Sequence, residues 1–234
     1  MDWERVADYI REIRKHETIN NFFYKLESYG DIVIIGGSIR DIVVNGKNPR
    51  DIDIILDTEA AQIDDVFEGM EYTKNRFGGY KAVFNQQEFD VWSITNNWAF
   101  KRNILDATIE NIPKGCFYNL DATYFNLSTG LGDAQYFSEA LFRKQLDIVL
   151  DDEFIYTNPF PEINIVRAIV LKKEYDVTYS KKVETYIKWW LDKSTDPFYE
   201  LKNAGYKHYK KRGKVSTNEI RSLIDLYGGN LATV

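Results

Sequence analysis

Asp51 and Asp53 stand one residue apart in NPRDIDIIL (48–56). On a strand, side chains alternate faces, so the two carboxylates point one way while Ile52 and Ile54 point to the core. Their Cα atoms then lie about 6.6–6.8 Å apart. Carboxylates so spaced can share a divalent metal, or hold two metals about 3.5–4 Å apart. Just upstream, IIGGSIRD (34–41) reads as strand, glycine turn and short helix. Such a turn presents backbone N–H groups where phosphate binds favourably. Gly36, Gly37 and Ser38 are the candidate phosphate contacts, with Arg40 beside them to neutralise developing charge. A phosphate cradle beside a carboxylate cage is the apparatus of phosphoryl or nucleotidyl transfer. Ser38 and Asp41 also form S-x-x-D, which predicts a capping box on a helix over 38–45 that Gly46 terminates.

Two-metal transfer calls for a third carboxylate on an adjacent strand. Asp90 in QEFDVWSI is the candidate, because Phe89 and Val91 alternate inward and leave Asp90 on the opposite face. Asp57 reads as a cap or turn residue. Arg76, Lys81 and Arg102 are candidate triphosphate contacts, and Trp98, Trp189 and Trp190 read as core anchors. The segment KNAGYKHYKKRGK (202–214) interleaves Lys207, Lys210, Lys211 and Arg212 with Tyr206 and Tyr209. Cations among aromatics suit an RNA backbone with stacked bases. The same run also suits a solvated lysine-rich face.

The positioning elements follow from patterning. Residues 3–28 carry helical spacing in one or two helices, and 31–35 form the first strand. A helix is predicted over 60–67 and hairpin strands over 72–76, 78–85 and 88–94, with Gly78-Gly79 marking a bulge or a close backbone approach. Residues 97–112 read as helix and 117–126 as strand. From 134 onward helices are predicted over 134–149, 161–175, 180–193, 197–209 and 216–227. The seam therefore falls near 130–150, giving domains 1–135 and 136–234.

Composition bounds the partners. The net charge of −6 argues against a uniformly basic nucleic-acid binder, yet residues 181–214 hold ten Lys or Arg against four Asp or Glu. One cysteine, Cys116, and two histidines, His16 and His208, leave no cysteine cluster and little histidine chemistry, so a metal here is a hard, oxygen-bound one. No apolar run reaches the ~20 residues that span a bilayer, and the charged, helical N-terminus is no secretory signal. A cytoplasmic protein without a membrane partner is expected.

GGSIRD followed by NPRDIDIIL resembles the head of the DNA polymerase beta nucleotidyltransferase superfamily, and within it the poly(A) polymerase and CCA-adding head domain, patterned GG-x-x-RD then DxD. QEFDVWSI is similar to that superfamily's third-acid strand. YNLDATYFNLSTG (118–130) resembles the family's FTINALAYD-x-x-TG strand through Tyr118, Leu120, Asp121, Ala122, Phe125 and Asn126. The sequence departs from the family elsewhere. Gly115, Cys116 and Phe117 replace an RRD triplet. PEINIVRAIVL (161–171) keeps only Arg167 and Ala168 of the base-reading helix EDPxRxLRA, with Asn164 for its first arginine.

The resemblance implies an α/β (α+β) head, a twisted mixed β-sheet flanked by helices, followed by a helical C-terminal domain. It implies a metal-dependent nucleotidyltransferase that releases pyrophosphate. Asp51, Asp53 and Asp90 would be the catalytic residues and the ligands of two Mg2+ ions, with Mn2+ able to substitute. The NTP, ATP or CTP, would lie over Gly36, Gly37, Ser38 and Arg40, with Arg167 on the nucleotide. An RNA 3′ end, tRNA first, would be the acceptor. A small-molecule or protein hydroxyl, or a non-catalytic antitoxin-like module, is the alternative.

Overall fold

The computed structural model describes residues 1–75, 78–209 and 213–228. They divide into two compact units: Met1–Cys116 with Asp121–Ser138, and Phe117–Leu120 with the chain from Glu139 onward.

The first unit opens with α1 (Trp3–Ile13) and α2 (Glu17–Glu27). Then come β1 (Ile32–Ile35), α3 (Gly37–Val43), β2 (Asp51–Leu56), α4 (Ile63–Val66), β3 (Thr73–Lys74), β4 (Tyr80–Phe84), β5 (Gln87–Ser93), α5 (Trp98–Lys101), β6 (Tyr124–Asn126) and β7 (Gly132–Asp133). The strands form one mixed sheet, ordered β3-β4-β5-β2-β1-β6-β7. Only β2 and β5 run parallel; their crossover carries α4 and the β3–β4 hairpin. Antiparallel pairs supply the rest of the sheet. The β4–β5 hairpin turns on Asn85 and Gln86, both at positive φ, the geometry of a two-residue primed turn.

Alternation assigns the faces. Ile52, Ile54, Phe89 and Val91 are fully buried in one core with Ile34, Phe22 and Phe23, beneath α1 and α2. On the opposite face Val33 and Ile55 pack with Ala99, Phe100 and Ile112. Asp51, Asp53 and Asp90 belong to this second face, so its apolar end buries the sheet while its polar end is left for chemistry.

The second unit is mainly helical: α7 (Asp152–Ile155), α8 (Pro161–Tyr175), α9 (Lys181–Leu191), α10 (Pro197–His208) and α11 (Thr217–Tyr227). The helix α6 (Gln135–Arg143) leads into it, and β8 (Gln145–Leu146) pairs in parallel with β9 (Thr178–Tyr179). Ser216 and Glu219 close a full capping box on α11.

Four predicted elements differ. The helix over 134–149 ends at Arg143, and Gln145–Leu146 is a strand. The helix over 97–112 is only Trp98–Lys101, followed by 3-10 turns. Asn103 takes a left-handed φ of 55°, which ends the helix. The strand over 117–126 is reduced to Tyr124–Asn126, because the Asn119 amide takes over the local backbone. Its Oδ1 accepts from the Leu120 and Asp147 N–H groups, and its Nδ2 donates to the Gln145 carbonyl. The helix over 60–67 contracts to Ile63–Val66. Gly79 does mark a close approach, since a Cβ there would overlap the Trp92 indole.

Candidate active site

The parallel register of β2 and β5 sets Asp51 opposite Glu88 and Asp53 opposite Asp90. Neighbouring strands lie about 4.7–4.9 Å apart. Directly paired residues share a face, so four carboxylates form a two-by-two grid. Sequence reasoning missed Glu88. Its position two residues before Asp90 on the same strand was the signal that could have found it.

Among the described residues, Arg50 and Lys81 pair with this grid. The Arg50 guanidinium pairs with Asp51, its Nε donating to Oδ2 at 2.8 Å. Lys81, opposite Asp90 on β4, donates to Asp90 Oδ2 at 2.7 Å and to Glu88 Oε2 at 3.1 Å. The counter-ion of Asp51 is thus its own neighbour in sequence. Burial raises the Asp90 carboxyl above the ordinary range against the opposing pull of Lys81, and the charges of Asp51 and Glu88 add to the rise. Burial works against the Lys81 charge, but its pairing with Asp90 and Glu88 outweighs that and holds the ammonium above its usual value. Lys81 is therefore fully charged at neutral pH.

Among the described residues no group of three or more His, Cys, Asp or Glu side chains converges on a metal position. The donor set nevertheless fits a hard divalent cation in chemistry, all carboxylate oxygen, and in strand register.

The glycine turn sits between β1 and α3. Gly36 adopts φ 60° and ψ −123°, a conformation that only glycine takes without strain, and its N–H donates to the Thr123 carbonyl at 3.2 Å. That donor is therefore occupied within the fold. The predicted capping box does not form. Helix α3 starts at Gly37 with no side-chain cap, Ser38 is buried and donates its hydroxyl to the Ile35 carbonyl at 3.0 Å, and Asp41 accepts from Asn45 Nδ2 at 2.9 Å. Arg40 was expected beside phosphate. It is buried instead, with its guanidinium paired to Asp121. The structure thus gives Asp121, the family-like strand residue, a partner in α3.

Arg167 lies half-buried on α8 in the second unit, and Lys207 is exposed near the end of α10. Lys210, Lys211 and Arg212 lie outside the described residues, as does Arg76. Arg102 is exposed at the end of α5.

Residues 32–105 match the family model of the poly A polymerase head domain, the stretch that holds the glycine turn and the carboxylate grid. This stretch is similar to a poly A polymerase head domain. Solved CCA-adding enzymes share the fold of nearly the whole chain. The complex with CTP superposes with a TM-score of 0.66 over 96% of this chain at 16% identity, and the complex with ATP with 0.64 over 95% at 16%. The Thermotoga maritima CCA-adding enzyme complexed with tRNA-CCA gives 0.64 over 96% at 15%. The chain spans only 54–55% of the length of those proteins. A comparison with curated proteins finds no match. No helix among the described residues is long and apolar enough to cross a membrane.

Proposed function

We propose that the chain is a metal-dependent nucleotidyltransferase that moves a nucleoside monophosphate from an NTP to a hydroxyl, with an RNA 3′ end, tRNA first, as the acceptor. The observation that carries this reading is the register of β2 against β5, which aligns Asp53 with Asp90 beside Asp51 on one open sheet face. The head-domain match over that segment supports it, and the fold shared with CCA-adding enzymes solved with ATP, CTP and tRNA supports the choice of substrates.

Asp51 and Asp53 would hold two Mg2+ ions, replaceable by Mn2+, and Asp90 would complete the acceptor-side ion. Such ions supply charge neutralisation at the phosphates and a lowered pKa for the attacking hydroxyl. The chain's own residues do the rest. The backbone of Gly36, Gly37 and Ser38 would lie against the triphosphate, held in shape by the Thr123 bond and by Arg40 acting through Asp121. The acceptor oxygen bonds to the α-phosphorus, the bond to the β-phosphate bridge breaks, and pyrophosphate leaves. Asp90, on the acceptor side, is the candidate to take the hydroxyl proton. Catalysis is then positioning and preorganised charge.

Incubation of the protein with each α-labelled NTP, Mg2+ and total RNA tests the reading. Label is expected at RNA 3′ ends from ATP or CTP. Label appearing on protein or small molecules, with none on RNA, would replace the acceptor. Absence of transfer from every NTP would overturn the reading.

A further inference from the structure

The carboxylate grid already contains a cation of its own. Lys81 reaches over from β4 and sits between two carboxylates of β5, at 2.7 Å from Asp90 and 3.1 Å from Glu88. A divalent ion that uses Asp90 would share that carboxylate with this ammonium, and two cations so close repel strongly. Its side chain is less than one-third exposed and holds two carboxylates, so it does not move into solvent without cost. A second seat stands within hydrogen-bond distance. Glu88 lies on the same face, paired with Asp51 in the strand register, and already accepts from the same ammonium.

We propose that Lys81 is a resident counter-ion of the catalytic face and Glu88 its alternate partner: entry of a divalent ion at Asp90 moves the ammonium onto Glu88, and departure of the ion returns it. The inference rests on the reading of Asp51, Asp53 and Asp90 as metal ligands. Lys81 and Glu88 are positioning residues. Without metal they keep the like charges of Asp53 and Asp90 from repelling, and with metal they keep a stranded ammonium away from it. Glu88 is thereby separated from the other three carboxylates: it serves the lysine.

Mn2+ binding to the full 234-residue chain, read by electron paramagnetic resonance without nucleotide, tests the exchange. Lys81→Met is expected to bind Mn2+ about tenfold tighter, since nothing has to be displaced, a factor within the usual range of pairwise couplings. Glu88→Gln is expected to bind about tenfold weaker, because the displaced ammonium loses its seat. In the double variant the Glu88→Gln effect should vanish and the affinity match Lys81→Met. Thermal unfolding without metal should show Lys81→Met less stable than wild type, and Lys81→Gln serves if the methionine variant fails to fold. Unchanged affinity in both Lys81 variants overturns the exchange. A Glu88→Gln loss that persists in the Lys81→Met background also overturns it, since Glu88 would then ligate the metal itself. Asp53→Asn separates the two levels of the argument: if it binds Mn2+ as wild type does, or if wild type binds none, the metal-ligand reading falls and the exchange with it.

Discussion

Replacing Asp121 with Asn should destabilise the head far more than its single lost charge suggests. Asp121 and Arg40 are 13% and 9% exposed as side chains, so the guanidinium has almost no water to fall back on. Removing one partner of a buried ion pair costs about 3–5 kcal/mol, mostly from the charge left behind. Asn keeps a carbonyl for Arg40, which places the cost near the lower end, about 3 kcal/mol. For a chain of this size each kcal/mol moves the melting temperature by about 2–4 °C, so a fall of about 6–12 °C is expected. Scanning calorimetry and guanidinium unfolding would measure it. The double variant Arg40→Met, Asp121→Leu should recover most of the loss, because apolar residues of similar volume replace a buried pair at little cost. The pair ties α3 to the loop before β6, where Thr123 accepts the Gly36 N–H, so Asp121→Asn should also slow nucleotidyl transfer. A loss below about 1 kcal/mol, or a double variant no better than the single one, would refute the argument that burial drives this pair.

Three further outcomes follow from the same geometry. Gly36→Ala should cost about 1–3 kcal/mol and depress transfer, since its φ of 60° with ψ of −123° is open only to glycine; urea unfolding and a transfer assay would show both. Glu219→Gln should cost about 0.2–1 kcal/mol, through the lost Lys173 ion pair, since Gln still closes the capping box on α11. Burial would raise the Glu219 carboxyl, but hydrogen bonds from Ser216 and the Lys173 ion pair outweigh it and hold it below the usual value. Its contribution is therefore present above the unfolded carboxylate range near ~4.3 and lost as pH falls through the folded value, so wild type and variant should converge in acid unfolding curves. Changing Lys210, Lys211 and Arg212 together to Ala should weaken RNA binding irrespective of sequence, and reduce the slope of log affinity against log salt by roughly two to three, with NTP affinity unchanged.

Alternation in DIDIIL is a local property, and it made the shared face of Asp51 and Asp53 legible before any fold was known. The same holds for the inward Phe89 and Val91. The alignment of Asp53 with Asp90 was not legible, because the two strands are separated by a crossover and parallel register is set by distant packing. Lys81 was visible only as a loose triphosphate contact, since its place opposite Asp90 depends on the β4–β5 hairpin. Ser38 misled for a different reason. S-x-x-D is a good local cap pattern, but Gly36 takes the helix entry with its positive φ, and Ser38 turns back to Ile35. Arg40 looked like a phosphate ligand because its partner Asp121 lies eighty-one residues on. The long apolar helices α8 and α9 were readable from their period, whereas 97–112 was not: its apolar residues serve a packed loop, and Asn103 breaks the helix.

The central claim is that one sheet face, built by Asp51, Asp53 and Asp90, carries out nucleotidyl transfer. Single-turnover transfer of labelled AMP or CMP to RNA, run beside equilibrium NTP binding on Asp53→Asn and Asp90→Asn, tests it most directly. Both variants should keep the fold. Asp53→Asn should lose at least about a hundredfold in rate, and Asp90→Asn should lose rate far more than NTP affinity, as removal of a metal ligand costs several kcal/mol at the transition state. Turnover of Asp53→Asn within about tenfold of wild type, a difference of only ~1.4 kcal/mol, would contradict the account.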